Sequence, residues 1–167
     1  MELNRNINII AHRANLNGPS VTENTLISIE NCLQNYNYDV EIDVRYINNC
    51  IHVGHDLPSK FTMDIQSFLD KFTLYKSRIW LHCKDLESII LFSSLDVKFN
   101  FFGHHDDEFV LTSRGDIFTR PDIINENVII VMPELISDKI KDIYFNSKGI
   151  LTDYPIKYET YYNTFGS

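Results

Sequence analysis

Short apolar runs, most of them four or five residues long, recur along this 167-residue chain and alternate with stretches of helical apolar spacing. That alternation constrains the fold more than any other feature. Asn8 to His12 (NIIAH), Val40 to Val44, Ile51 to Gly54, Ile79 to Cys83, Phe99 to Phe102, Val128 to Met132 and Gly149 to Thr152 read as strands. Between them, Leu26, Ile29 and Leu33 return at helical spacing behind the capping side chains of Thr22-Glu23-Asn24-Thr25. Further helices are expected over Met63 to Phe72, Leu86 to Leu95, Ile136 to Phe145 and Tyr158 to Phe165. Phe109 to Thr119 reads as a hairpin turning at Arg114-Gly115.

Strands that alternate with helices indicate a parallel α/β protein. The chain has no linker, repeat or low-complexity segment, so one domain over residues 1–167 is expected. An open doubly wound sheet and a closed (β/α)8 TIM barrel both fit the pattern. A barrel usually takes roughly 250 residues, so this one would be compact or trimmed, with helices replaced by loops. No glycine-rich phosphate fingerprint follows the first strand, which weighs against nucleotide binding.

Polar groups gather where the apolar runs end. His12-Arg13 closes the first strand, Glu41-Ile42-Asp43 lies within the second, and Gly54-His55-Asp56 follows the third. Glu41 and Asp43 are two apart, so both face the same side of their strand. A half-exposed strand would explain such a pair, but in a covered parallel sheet two carboxylates repel and lose solvation unless a cation sits between them. A divalent ion meets that need. His12 and His55 flank the pair, and imidazole serves as acid or base near neutral pH. Two proton carriers and an acidic pair suit metal-dependent cleavage of a phosphodiester.

Arg13 presents a planar fork suited to phosphate, with a carboxylate such as Glu23 as the alternative partner. In Trp80-Leu81-His82-Cys83-Lys84, His82 and Lys84 share one face of the strand. A lysine there needs an anion: a substrate phosphate, or Glu41 or Asp43 in an internal pair. His104, His105, Asp106 and Asp107 read first as a solvated loop, with substrate contact as their role if they have one. Asp153, at the end of the last strand, reads as a cap for the helix that follows.

Composition narrows the partners. With 44% hydrophobic and 23% charged residues the chain reads as an ordinary globular protein. A formal net charge of −8 argues against broad binding to nucleic acid or anionic membrane. It is compatible with one small phosphorylated ligand beside a local cation. Cys32, Cys50 and Cys83 are too few and too far apart for a disulfide framework or a CxxC zinc site. No signal peptide follows Met1 and no run nears the roughly 20 apolar residues of a membrane span, so a cytoplasmic protein is expected. Nothing in the pattern speaks to oligomeric state.

The ordered motifs AHR, ENT, VEIDV and VGHD within residues 11–56 resemble the glycerophosphodiester phosphodiesterase family and the related phosphatidylinositol phospholipase superfamily. LHCK at 81–84 resembles the family's E-x-K strand, and GILTDYP at 149–155 its final strand. The resemblance implies a (β/α)8 barrel with its site at the C-terminal strand ends. It implies His12 and His55 as the acid and base, Glu41 and Asp43 as metal ligands, and Arg13 and Lys84 as phosphate-binding residues. His82 stands where the family has a third acidic ligand. One divalent ion is implied, magnesium or calcium in the family pattern, with manganese or zinc better suited to an imidazole ligand. Ala14 replaces the usual glycine.

Many members of that family carry a larger insertion that helps grip glycerol where this chain has only the short stretch Leu57 to Ile79, a departure that bears on the glycerol group but not on cleavage of a phosphodiester. The expected function is therefore hydrolysis of a glycerophosphodiester or related phospho-alcohol diester. The alternative is a catalytically silent barrel that binds a phosphorylated ligand.

Overall fold

A single curled sheet organises the protein, and the computed structural model describes residues 7–104 and 107–165 of it. The chain begins with β1 (Asn8–Ala11), and Thr25 then caps α1 (Leu26–Asn31) by accepting a hydrogen bond from Ser28 N. A wider helical turn, Cys32–Tyr36, continues α1 and ends at Asn37, whose left-handed φ of 60° turns the chain back. β2 (Asp39–Ile47) and β3 (Cys50–Val53) form a hairpin across Asn48-Asn49, both with positive φ, as a tight two-residue turn requires. β4 (Phe61–Asp64) runs antiparallel to β3, and Asp64 then caps α2 (Ile65–Phe72). β5 (Ile79–Cys83), α3 (Leu86–Ser94) and β6 (Asn100–Phe102) follow. The expected hairpin is present as β7 (Phe109–Leu111) and β8 (Ile117–Thr119). β9 (Val128–Val131), β10 (Gly149–Thr152) and α4 (Pro155–Phe165) complete the chain.

The strands lie in the order β6, β5, β2, β1, β10, β9, β8, β7. All neighbours from β6 to β8 are parallel, while β7 is antiparallel to β8. β3 pairs with the far half of β2, Val44 to Ile47. The closed, trimmed (β/α)8 barrel expected from the sequence is not formed. Among the described residues no strand ladder joins β6 to β7 or β8, so the mixed sheet is an open half-barrel with four short helices. The hairpin turn is nonetheless tied across the seam: Ser113 N donates to Phe101 O at 2.8 Å, Ser113 Oγ accepts from Phe101 N at 2.9 Å, and Asn100 Nδ2 donates to Asp116 Oδ2 at 2.9 Å.

Chain length explains the difference. Closure needs eight strands with matched tilt and stagger, each followed by a covering element. From β6 to β9 the described residues form a hairpin and loops but no helix. The helix expected over Ile136 to Phe145 is likewise absent. Two short 3-10 turns, Pro133–Leu135 and Asp142–Asn146, occupy that crossover. Ser137 accepts a hydrogen bond from Lys139 N and donates to Lys139 O, and such local bonding competes with a helix.

Period-two alternation divides the side chains between the two faces. Val40, Ile42, Val44, Leu81 and Cys83 pack outward under the helices, against Ile29, Leu33, Phe68, Phe72 and Phe92. Ile10, Trp80, Phe102, Phe118, Ile129 and Leu151 meet inside the curve. A third cluster, including Ile130, Tyr144, Phe145, Ile150 and Tyr158, carries α4. All three cysteines are free thiols, and burial pushes those of Cys32 and Cys83 up to about 12. No described helix is long and apolar enough to cross a membrane.

Candidate functional site

The inner face changes character along the strands. β1 continues Ile10 with His12, β5 continues Trp80 with His82 and Lys84, and β10 continues Leu151 with Asp153. Each strand thus packs an apolar residue low in the curve and delivers a polar one at its C-terminal end. β2 departs from the pattern, since its inner face carries Asp39, Glu41 and Asp43 in succession. Asp39 is held by Asn8, Arg78 and the Trp80 indole, which makes it part of the floor. Above that floor lies a cavity of about 300 Å³, whose walls include His12, Arg13, Glu41, His55, His82 and Lys84. Six of the seven residues singled out from the sequence therefore face one space, and the seventh, Asp43, lies directly behind them in contact with His82.

Glu41 and Asp43 are each 1% exposed. One Glu41 oxygen accepts the Arg13 backbone N–H at 3.1 Å, while its other oxygen lies 3.6 Å from His82 Nδ1. Asp43 Oδ2 accepts from Asn24 Nδ2 at 3.0 Å and faces Arg13 Nε at 3.1 Å, although that N–H is not aimed at it. Asp43 Oδ1 lies 3.0 Å from His82 Nδ1 and 3.9 Å from Lys84 Nζ, yet it is buried with no aligned hydrogen bond. An orphaned buried carboxylate oxygen of this kind is what a cation would satisfy. Glu41, Asp43 and His82 offer ligand atoms that all lie within 4.8 Å of one another. The three residues fit a divalent ion with mixed oxygen and nitrogen ligation.

The charges follow from these contacts. Burial and the neighbouring Asp43 charge push the Glu41 carboxyl up to about 7. Burial pushes Asp43 the same way, but the close His82 ring at 3.0 Å and the His82 and Arg13 charges outweigh it, leaving Asp43 below the usual carboxylate range. Burial holds His82 below the ordinary imidazole value despite Asp43, which favours the neutral ring that a metal requires. Its ring lies nearly parallel to those of Phe102 and His104, at centroid distances of 4.9 and 4.8 Å.

His12 stands on a buttress that the sequence reading missed. Asp153 does not serve simply as a helix cap: its Oδ1 lies 2.8 Å from His12 Nδ1 and accepts from Asn15 Nδ2 at 2.9 Å. Glu134 Oε1 in turn accepts from Asp153 N and Thr152 Oγ1. His12 Nε2 lies 3.9 Å from Glu41. Burial lowers the His12 pKa, but the Asp153 hydrogen bond and the Glu41 and Asp153 charges prevail and leave it above the ordinary value. The usable signal was the position of Asp153 at a strand end, equivalent to that of His12.

Two more side chains, Asn24 and Arg45, support the site from the elements around it. Of the capping side chains expected at Thr22-Glu23-Asn24-Thr25, Thr25 is the cap and Asn24 is not. Asn24 is fully buried, accepts from Asp43 N, donates to Asp43 Oδ2, and bonds through its own N–H to Arg13 O. Arg45, the next inward residue after Asp43, donates to Gly54 O and His55 O. Gly54 has a φ of +149°, which residues with side chains rarely adopt, and a Cβ there would lie 3.1 Å from Lys60 N. This loop sets His55 on the cavity wall with Nδ1 2.9 Å from Asp56.

Arg13 and Ala14 have left-handed φ values of 52° and 58°, a conformation that glycine adopts more readily than either. Of the two partners considered for Arg13, the carboxylate is present as Glu23 at 3.3 Å, and Asp43 joins it at 3.1 Å. For Lys84, the internal pair with Asp43 is formed. His104 and Asp107 line the rim of the cavity, whereas His105 and Asp106 lie outside the described residues. Comparison with protein-family models, curated proteins and solved structures returned no significant match.

Proposed function

We propose that the chain is a divalent-metal-dependent phosphodiester hydrolase acting on a glycerophosphodiester or related phospho-alcohol diester. One observation carries this reading. The orphaned Asp43 Oδ1, within a Glu41–Asp43–His82 cluster, adjoins a cavity whose lining includes His12, His55, Arg13 and Lys84. A divalent ion held by that cluster would supply positive charge against a phosphate oxygen. Arg13 and Lys84 stand beside it to hold the remaining phosphate charge. His12 and His55 exchange protons with the attacking and departing oxygens, one taking and the other giving. Asp153 holds the His12 ring at Nδ1 and leaves Nε2 for that transfer.

Hydrolysis of bis(p-nitrophenyl) phosphate with Mg²⁺, Ca²⁺, Mn²⁺ or Zn²⁺ tests the reading. Chelator-sensitive product release with a bell-shaped pH profile is expected, and His12→Ala and His55→Ala should each lose roughly 10²-fold or more. Turnover indifferent to both substitutions would overturn it.

A second reading, a catalytically silent half-barrel that binds a phosphorylated ligand, draws on the ion pairs around Asp43. Arg13 at 3.1 Å and Lys84 at 3.9 Å neutralise that carboxylate without any metal. Thermal stabilisation by a phosphate ester with no turnover under any metal would favour it.

A further inference from the structure

The cavity has two unlike walls. Polar side chains of β1, β2 and β5 form one, and Phe102, Val110, Phe118, Val131 and Leu151 from β6 to β10 form the apolar part of the other, whose exposed rim carries His104, Asp107, Glu108 and Arg120. We propose that this second wall receives the alcohol substituent of the phosphodiester and selects a short apolar group over glycerol. The inference rests on the phosphodiesterase reading above and names the class of substrate for that same site.

The apolar wall is rigid. Phe118 packs edge-on against Phe102 at 4.9 Å and lies 5.4 Å from Trp80. Phe102 is also the residue on which His82 stacks, so the apolar surface begins directly beside the candidate ligand cluster. A phosphate held by Arg13 and Lys84 would therefore direct its substituent along this surface.

Hydroxyl groups find no partner on those five apolar side chains, since the polar groups of that side stand at the rim. The one alcohol on that wall, Thr119 Oγ1, donates to Ile123 O at 3.1 Å. Arg120, at the rim, is engaged with Glu108 and Asp122. A glycerol group would exchange water for carbon and lose roughly 10-fold or more in affinity per unsatisfied hydroxyl. An alkyl group gains about fourfold per buried methylene. A cavity of about 300 Å³ is at the lower end of small-molecule sites, so the substituent is of short-chain size.

Calorimetric binding of propyl phosphate and glycerol 3-phosphate, which share a three-carbon skeleton, tests this in the presence of Mn²⁺. Propyl phosphate should bind at least tenfold tighter, with a further gain of about fourfold per methylene to pentyl phosphate. The isosteric variants Val110→Thr and Val131→Thr, checked for folding by circular dichroism, should shrink the propyl preference at least threefold. Equal or tighter binding of glycerol 3-phosphate would overturn the inference, as would a preference unchanged in both variants. Bis(p-nitrophenyl) phosphate turnover reports separately on the hydrolase reading. Apolar preference without turnover leaves this inference standing and removes that reading, whereas turnover with glycerol preference does the reverse.

Discussion

Asp153 Oδ1 lies 2.8 Å from His12 Nδ1, although 141 positions separate the two residues. The contact follows from register. β1 and β10 pair in parallel with Ala11 opposite Thr152, so the next residue on each strand emerges beside the other. A carboxylate on one imidazole nitrogen fixes the ring and its tautomer, leaving the opposite nitrogen for proton transfer. Asp153→Asn should lower kcat roughly 10²–10⁴-fold on bis(p-nitrophenyl) phosphate. Since Asp153 raises the His12 pKa, the limb of the pH profile that His12 governs should move to lower pH. Mn²⁺ affinity measured by calorimetry should be unchanged, because Asp153 is outside the ligand cluster.

Metal binding should stabilise the folded chain. At an ion concentration 100 times its Kd the gain is about 2.7 kcal/mol, which for a chain of this size raises Tm by about 5–11 °C. Differential scanning calorimetry with Mn²⁺ should show that rise, and EDTA should reverse it. Asp43→Asn should weaken Mn²⁺ binding at least about 10-fold, since it removes the charge on the orphaned oxygen.

Asn24→Ala should destabilise the protein by about 2–5 kcal/mol in urea unfolding. The Asp43 N–H and one Asp43 oxygen lose partners in a fully buried place, at about 1–3 kcal/mol each. Alanine must also hold the left-handed φ of 57° that asparagine tolerates. A loss under 1 kcal/mol would mean that Asn24 does not brace the acidic pair.

Glu134 offers a pH-dependent readout away from the ligand cluster. Burial raises its carboxyl above the usual glutamate value, and Oε2 has no hydrogen-bond partner. The folded chain therefore holds this proton more tightly than the unfolded chain does. Its contribution to stability is complete at acid pH and is lost as pH rises through the raised value. Glu134→Gln keeps an oxygen for Asp153 N and Thr152 Oγ1 without the buried charge. The Tm of the variant relative to wild type should be more favourable at pH 8 than at pH 4. A difference of the opposite sign would show that the ionised carboxylate is stabilising.

Local pattern carried much of the fold. Ile79–Cys83 and Gly149–Thr152 have the predicted bounds, and β1, β2, β3, β6 and β9 lie within two or three residues of theirs. Strand periodicity is a property of neighbouring residues and needs no knowledge of the rest of the chain. The same local rule put Glu41 with Asp43, and His82 with Lys84, on shared faces. It failed at Met63, where β4 precedes the helix because Asp64 is the cap, and across Ile136 to Phe145, where side-chain turns replaced the helix.

By itself, then, the order of residues determined that strands end in His12, His82 and Lys84 and that two acids share one face of β2. Only the tertiary structure decided that Asp153 meets His12, that Asn24 braces Asp43, that Arg45 holds the His55 loop, and that the sheet stays open between β6 and β7. Side-chain direction follows from alternation within one strand. Partnership and closure instead depend on register and crossover length summed over the whole sheet, which no local stretch encodes.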